Sequence, residues 1–178
     1  MTSSVRQLFG GAITVTLPSS VIDASDLREV PDTQEVFLYP DSSVSIIVDV
    51  LQRVEAENFA DAARLHFASL AHDNDAESST VHDVGIIPND RGDNTPSPVV
   101  LYGTQSVKKF NQTVPDEVRI LLALYRVKDK NVDLLLTCNV PVRAVDQGAV
   151  GEEGFTAAKG DFDRAVQTLR IVDFGLFA

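Results

Sequence analysis

Residues 118–140 read Val-Arg-Ile-Leu-Leu-Ala-Leu-Tyr-Arg-Val-Lys-Asp-Lys-Asn-Val-Asp-Leu-Leu-Leu-Thr-Cys-Asn-Val, and this stretch decides the fold. Two apolar runs, 118–127 and 132–140, are rich in the side chains that strands prefer. The polar segment between them, 128–131, has the length of a hairpin connection. Two strands joined by so short a segment must be antiparallel. The stretch therefore predicts an antiparallel hairpin.

Further strand patterns lie on the N-terminal side of this hairpin. A third long β-rich run, 99–110, precedes it directly. Residues 12–17 alternate cleanly between apolar and polar side chains, and the short run 35–39 stops at a proline. Residues 44–54 are apolar on both faces, which is typical of a strand in a sheet covered on both sides. Asp49 is the exception there, a carboxylate whose neighbours on its own face are apolar.

Two segments have helical periodicity. Residues 58–71 carry an apolar stripe, with Asn58 as the expected N-cap. Residues 162–172 present a second apolar stripe, with Asp161 as the expected N-cap. The stripe of the first helix consists of Phe59, Ala62, Ala63, His66, Phe67 and Leu70. Polar or glycine-rich composition predicts loops at 72–79, 85–98 and 143–160.

The order of these elements is strands, helix, strands, helix, without a regular βαβ repeat. This order predicts an α+β fold, an α/β sandwich in which helices flank a central, mainly antiparallel sheet. No internal repeat or linker is visible, so we expect residues 1–178 to form a single domain.

Composition narrows the functional classes. The net charge of −11 argues against nucleic acid and anionic membranes as partners, because both need clustered Lys and Arg. A basic protein partner is compatible with this charge, although charge alone favours a simple contribution to solubility. The single cysteine, Cys138, predicts a reducing compartment. We expect no membrane span and no secretory signal, hence a cytoplasmic or nuclear protein.

The sequence lacks the common catalytic and metal-binding motifs. The Asp73-Asn74-Asp75 run imitates the start of a calcium loop, but its later positions do not continue the motif. His66 falls on the apolar helix stripe and Cys138 within a strand, so both are expected in the core. Arg91-Gly92-Asp93 is interpreted as a turn. We therefore expect no catalytic residue, no metal, no cofactor and no covalent chemistry.

Several stretches together resemble the Ran guanine-nucleotide release factors of nuclear import. The matching segments are Leu8-Phe9-Gly10-Gly11-Ala12-Ile13, the run from Ile22 to Phe37 with its Val30-Pro31-Asp32-Thr33-Gln34-Glu35-Val36 core, Ser45 to Leu51, Asp133 to Thr137 with Asn139 and Pro141, and the closing Leu176-Phe177. The resemblance implies the α/β sandwich shared with the P subunit of the photosystem oxygen-evolving complex. It also implies binding to the small GTPase Ran, release of its nucleotide and support of nuclear import.

The resemblance also implies two acidic contacts for Ran, one at Asp49 and one three residues later. The second position here is Gln52, which brings no charge. For Asp49 we favour a partner contact over a satisfied carboxylate at a strand edge.

The acidic loop that precedes Asp49 supplies the other candidate contacts. For Asp32, Gln34 and Glu35, bracing of the loop and contact with Ran are equally supported. For Asp23, Asp26 and Arg28, a local cap or ion pair is favoured over contact.

These observations lead to one hypothesis and two alternatives. The hypothesis is a non-enzymatic, monomeric Ran-binding protein of the nucleus and cytoplasm that promotes guanine-nucleotide release. The first alternative is a scaffold on the same fold that leaves nucleotide exchange unchanged. The second is a small-ligand module or enzyme, which needs a deep pocket lined by convergent polar groups.

Overall fold

The computed structural model describes residues 2–108, 112–145 and 147–178. The strands are β1 (Ser3–Leu8), β2 (Ile13–Pro18), β3 (Ile22–Asp23), β4 (Gln34–Leu38), β5 (Ser45–Gln52), β6 (Ala76–Ile86), β7 (Val99–Val107), β8 (Asp116–Val127), β9 (Val132–Arg143) and β10 (Arg170–Ile171). The helices are α1 (Phe59–Asp73) and α2 (Gly151–Thr168). No helix in these ranges is long and apolar enough to cross a membrane.

A seven-stranded sheet in the order β3-β4-β5-β9-β8-β7-β6 forms the middle layer. Every strand pair in the described ranges is antiparallel, as predicted for the β8–β9 hairpin, which lies inside the sheet between β5 and β7. The expected α+β fold with a mainly antiparallel central sheet is therefore confirmed.

The two faces of this sheet have separate cores. On one face, α2 and a small sheet, β1-β2-β10, cover a large core that includes Phe37, Tyr125 and Phe162. On the other face, α1 packs on β6, β7 and β8 through a smaller core around Phe67. Gly103 of β7 allows this close packing, since a Cβ atom there would lie 2.5 Å from the Phe67 ring.

The first predicted helix is confirmed in detail. Asn58 is its N-cap, and the side-chain oxygen accepts hydrogen bonds from the backbone N–H groups of Ala60 and Asp61. The predicted stripe faces the sheet, with His66 and Phe67 fully packed.

The prediction for residues 143–160 was wrong. We expected a loop followed by a helix over 162–172, whereas α2 begins at Gly151 and ends at Thr168. Asp161 is consequently a buried residue inside the helix and not its N-cap. The glycines in this segment lower its helix propensity, but burial of Phe155 and Ala158 outweighs that cost.

Two further loop predictions and one strand end need correction. The loop predicted over 72–79 is replaced by the end of α1 at Asp73 and by the edge strand β6, which spans Ala76–Ile86. The loop predicted over 85–98 is confirmed for residues 87–98, and it begins two residues later because β6 ends at Ile86. The side chains of β6 are mostly exposed, so it lacks the apolar alternation that marks a half-buried strand. The predicted end of the 99–110 run lies outside the described residues, and β7 ends at Val107.

The N-terminal region also differs from the expectation. Strand β1 was not predicted, and β2 pairs with β1 and β10 in the small sheet instead of joining the main sheet. Gly10 and Gly11 form the tight turn between β1 and β2, with φ of 69° and 96°, a backbone region that favours glycine.

Candidate functional site

The candidate contact Asp49 lies on β5, between β4 and β9. Its side chain lies on the same face of the strand as Ile47 and Leu51, both of which are half-buried. Because α1 packs over β6, β7 and β8, this part of the sheet lies beside the helix. Together with Gln34, the residue opposite Asp49 on β4, these three residues form what we call the Asp49 face.

The carboxylate of Asp49 lies in a partly desolvated position. Burial raises its pKa, although a hydrogen bond from the Gln34 side chain and the nearby His66 ring act in the opposite direction. A carboxylate held between apolar neighbours gains from a cation supplied by a partner, because pairing offsets part of its desolvation cost. The Asp49 face can therefore bind a basic group.

Gln34 and Glu35 are adjacent in the chain but lie on opposite faces of β4. Gln34 is directly opposite Asp49, whereas Glu35 is opposite Val48, which belongs to the core under α2. The Oε1 atom of Glu35 accepts a hydrogen bond of 2.8 Å from the backbone N–H of Phe9. Glu35 thus connects two of the segments that carry the family resemblance.

Asp32 and Gln52 are both exposed, but they lie at different places relative to the strand that carries Asp49. Asp32 lies in the turn before β4, where Thr33 and Val50 join the turn to β5 through a 2.9 Å backbone hydrogen bond. Gln52 is the last residue of β5. It is three residues from Asp49, so its side chain points to the opposite face of the strand.

The residues Asp23, Asp26 and Arg28 make local interactions or face solvent. Asp23 caps a short 3-10 turn, and its Oδ1 atom accepts hydrogen bonds from the backbone N–H and the hydroxyl of Ser25. Arg28 donates to the carbonyl of Glu29, and Asp26 is exposed. The structure does not bring these three together with Asp49.

Sequence reasoning missed a buried polar cluster beside the Asp49 face. Asp133 on β9 contacts the Nε2 atom of His66 at 2.7 Å and accepts a 2.9 Å hydrogen bond from Nε of Arg126. Arg126 also donates to the carbonyls of Val54 and Ala56, which connect β5 to α1. The sequence signals were His66 on the apolar stripe of α1 and two charged residues, Arg126 and Asp133, inside otherwise apolar strands.

Two other polar residues considered in the sequence analysis, Cys138 and Arg91, make contacts within the fold. Cys138 is fully buried, and burial together with the neighbouring Asp161 carboxylate raises the pKa of its thiol to about 12. Arg91 donates to the carbonyls of Gln167 and Leu169 at the end of α2. Within the described ranges, no group of three or more His, Cys, Asp or Glu residues could hold a metal ion.

Comparisons with known proteins point in one direction. A family described as the Ran-interacting Mog1 protein matches residues 6–141. The Ran guanine nucleotide release factor of Danio rerio is 36% identical over 180 residues, covering 97% of this chain and 98% of that protein. The nuclear import protein mog1 of Schizosaccharomyces pombe is 29% identical over 97% of this chain and 99% of its own.

A solved structure shares the architecture. The crystal structure of the Saccharomyces cerevisiae Ran-binding protein Mog1p matches with a TM-score of 0.75 at 26% identity, and the match covers both chains completely.

Proposed function

This chain belongs to the family of the Ran-interacting Mog1 protein, and from that membership we propose that it binds the small GTPase Ran and promotes release of its guanine nucleotide. It acts by binding, without covalent chemistry or a cofactor. It supports nuclear protein import, works as a monomer and resides in the nucleus and cytoplasm. The names of relatives as a release factor and a nuclear import protein support this role.

The observation that carries the proposal is the carboxylate of Asp49, which lies half-buried between apolar side chains on β5. This carboxylate is partly desolvated and lies between Ile47 and Leu51, with Gln34 as a hydrogen-bonding neighbour. A basic side chain of Ran pairs with Asp49, while the two apolar side chains exclude water around the pair. Asp32 lies at the rim and adjusts the strength of binding, whereas Gln52 lies at the end of β5 on the opposite face of the strand and contributes less.

The overall charge supports the same kind of partner. A net charge of −11 attracts a positively charged surface over distances of about a Debye length, roughly 8–10 Å at physiological ionic strength. This attraction speeds encounter with a basic partner, whereas the short-range contacts at Asp49 determine how long the complex lasts.

Nucleotide release follows from a difference in affinity between two states of Ran. A protein that binds nucleotide-free Ran more tightly than loaded Ran shifts Ran toward release. A hundredfold preference corresponds to about 2.8 kcal/mol, which one desolvated charge pair with its apolar surroundings can supply.

The test is a nucleotide-release assay with Ran loaded with a fluorescent guanine nucleotide, combined with calorimetric binding. We expect the wild-type chain to accelerate release. Asp49→Ala is expected to weaken binding about 10- to 100-fold, the equivalent of roughly 1.4–2.8 kcal/mol. Asp83→Asn removes an exposed acid from β6, on the far edge of the sheet, and serves as the matched control.

Each outcome of this assay has a distinct meaning. Unchanged affinity of Asp49→Ala, at wild-type stability, would reject Asp49 as the contact. Tight binding of Ran by the wild-type chain without faster release would reject the release activity and leave a Ran-binding scaffold. Absence of binding to any nucleotide state of Ran would reject the proposal as a whole.

A further inference from the structure

A half-open pocket of about 210 Å³ lies on the other side of the sheet from the Asp49 face. It is formed by the N-terminal half of α2 and by the turns that follow β2 and β4. Its walls are mainly apolar or small, and its lining includes Pro18, Val44, Val150, Gly154 and Ala157. Ser20, Pro40 and Asp41 are exposed at its mouth, so the pocket is open to solvent.

Asp161 places a buried carboxylate in this pocket. The residue is 7% exposed and projects from α2. Its Oδ2 atom accepts a 2.7 Å hydrogen bond from the hydroxyl of Tyr39, whereas its Oδ1 atom accepts none from the described part of the chain. Burial and the bond to Asp161 raise the pKa of Tyr39, so the phenol remains the donor in this pair. Because Oδ1 is not among the buried atoms without a partner in the described residues, solvent reaches it in the pocket, and a cationic ligand can replace that solvent.

The basic side chains nearest in the sequence are engaged elsewhere. Lys159 pairs with Asp163 at 2.9 Å, and Arg164 donates to the hydroxyl of Ser3. In the described ranges, no Lys, Arg or His forms an ion pair with Asp161. The carboxylate therefore has a free acceptor in a pocket with space in front of it.

We propose that this pocket binds a primary alkylammonium group, whose charged end pairs with Asp161 and whose methylene chain packs against the walls. The group belongs either to a free small amine or to a lysine side chain of a protein. Asp41 at the mouth supplies a second acid for a diamine. This site is independent of the proposed action on Ran.

The geometry favours ammonium over other ligand classes. Anions are repelled by Asp161 and Asp41, and a neutral ligand leaves the free oxygen of Asp161 without a charged partner. A guanidinium group prefers both oxygens of a carboxylate, but the Tyr39 hydroxyl already binds Oδ2. An ammonium group is a compact point charge that one free oxygen can accept.

The test is a titration of the whole chain with n-butylamine at neutral pH, followed by amide NMR at constant ionic strength. Its matched control ligand is n-butanol, which has the same chain without the charge. We expect butylammonium to bind with a Kd of about 1–10 mM, as suits so small a ligand. Shifts are expected at Tyr39, Gly154, Ala157 and Asp161, with n-butanol binding at least about tenfold more weakly.

Two variants separate the pocket from general electrostatic attraction. Asp161→Asn removes the charge, and Asp163→Asn removes an exposed acid of the same helix as the matched control. Because Asp161→Asn could weaken the fold, Ala157→Leu is the second variant, since it fills the pocket from an exposed helix position. Both pocket variants are expected to abolish binding, whereas Asp163→Asn is expected to retain it.

Two further ligands identify the source of the ammonium group. Tighter binding of 1,4-diaminobutane than of n-butylamine, lost in Asp41→Asn, would assign the pocket to a free diamine. Tighter binding of Nα-acetyl-lysine amide, whose side-chain ammonium group is free, would assign it to a protein lysine. Equal binding of n-butanol and n-butylamine would overturn the proposal. Unchanged butylammonium binding in folded Asp161→Asn or Ala157→Leu would also overturn it.

Discussion

The carboxylate Oδ2 of Asp133 lies 2.7 Å from Nε2 of His66, although the two residues are 67 positions apart in the chain. Asp133 is fully buried and also accepts hydrogen bonds from Arg126 and from the backbone N–H of Val54. This one carboxylate therefore joins β9, β8, α1 and the segment that follows β5. Since Asp49 lies on β5, the cluster holds the strand that carries the proposed Ran contact.

We expect Asp133→Ala to be strongly destabilising, by about 3–5 kcal/mol, because it leaves Arg126 buried without its anionic partner. The measurement is the free energy of unfolding in urea. Asp163→Ala removes an exposed pair with Lys159 and is expected to cost no more than about 1 kcal/mol. Similar costs for the two variants would show that the cluster contributes little to stability.

The same residue predicts how acid affects stability. Burial alone would raise the pKa of Asp133, but hydrogen bonds from His66, Arg126 and Val54 hold it below its ordinary value of 3.8. The ionised carboxylate therefore contributes stability that is present above pH 3.8 and is lost as pH falls through the lower pKa of the folded state. Thermal unfolding between neutral pH and pH 2.5 should show this loss, and Asp133→Asn should flatten it. An identical acid limb in the variant would contradict the assignment.

Asp49 is expected to cost stability while it provides binding. Because burial raises its pKa, ionised Asp49 destabilises the fold as pH rises through the pKa of the folded state. At neutral pH, Asp49→Asn should leave Tm unchanged or raise it by about 1–2 °C, whereas its affinity for Ran should fall. Differential scanning calorimetry and binding on the same preparation measure both. A lowered Tm would indicate that Asp49 is a structural carboxylate.

Substitutions of Gln34 and Glu35 should have different effects, one on Ran affinity and the other on stability. Glu35→Ala loses the acceptor for the Phe9 N–H, and we expect it to cost about 1.5–3 kcal/mol with no loss of Ran affinity once folded. Glu35→Gln keeps an acceptor oxygen and should restore most of the stability. Gln34→Ala changes the neighbour of Asp49 and should alter Ran affinity instead. If Glu35→Ala weakened Ran binding and Gln34→Ala did not, the contact would lie on the face of β4 that carries Glu35, which would contradict the proposal.

Cys138 should be unreactive in the folded protein. Its burial and its raised pKa, about 12, keep the thiol protonated and out of reach. An aromatic disulfide reagent at pH 8 should modify it only at the rate at which the chain opens, and rapidly in denaturant. Fast modification of the native chain would show that the β9 core is accessible.

The sequence pattern alone predicted those helices and strands in which apolar residues recur at regular spacing. The β8–β9 hairpin, β5 and the N-cap and stripe of α1 follow from apolar periodicity and Asn58, because strand and helix geometry sort neighbouring side chains onto faces. The position of Asp49 between Ile47 and Leu51 followed from the same alternation. Segments without such a pattern, β6 and the N-terminal half of α2, were misassigned.

Tertiary structure decided what depends on distant partners. It placed Gln34 beside Asp49 and turned Glu35 toward Phe9, and it buried Asp161 next to Tyr39, 122 positions away. The sequence by itself determined the family, the class of fold and the acidic character of the chain. Only the tertiary structure separated acids that are bonded within the fold, such as Asp133 and Glu35, from the partly exposed Asp49. The reason is physical, since a carboxylate's role depends on which donors and how much water surround it, and these come from other strands and helices.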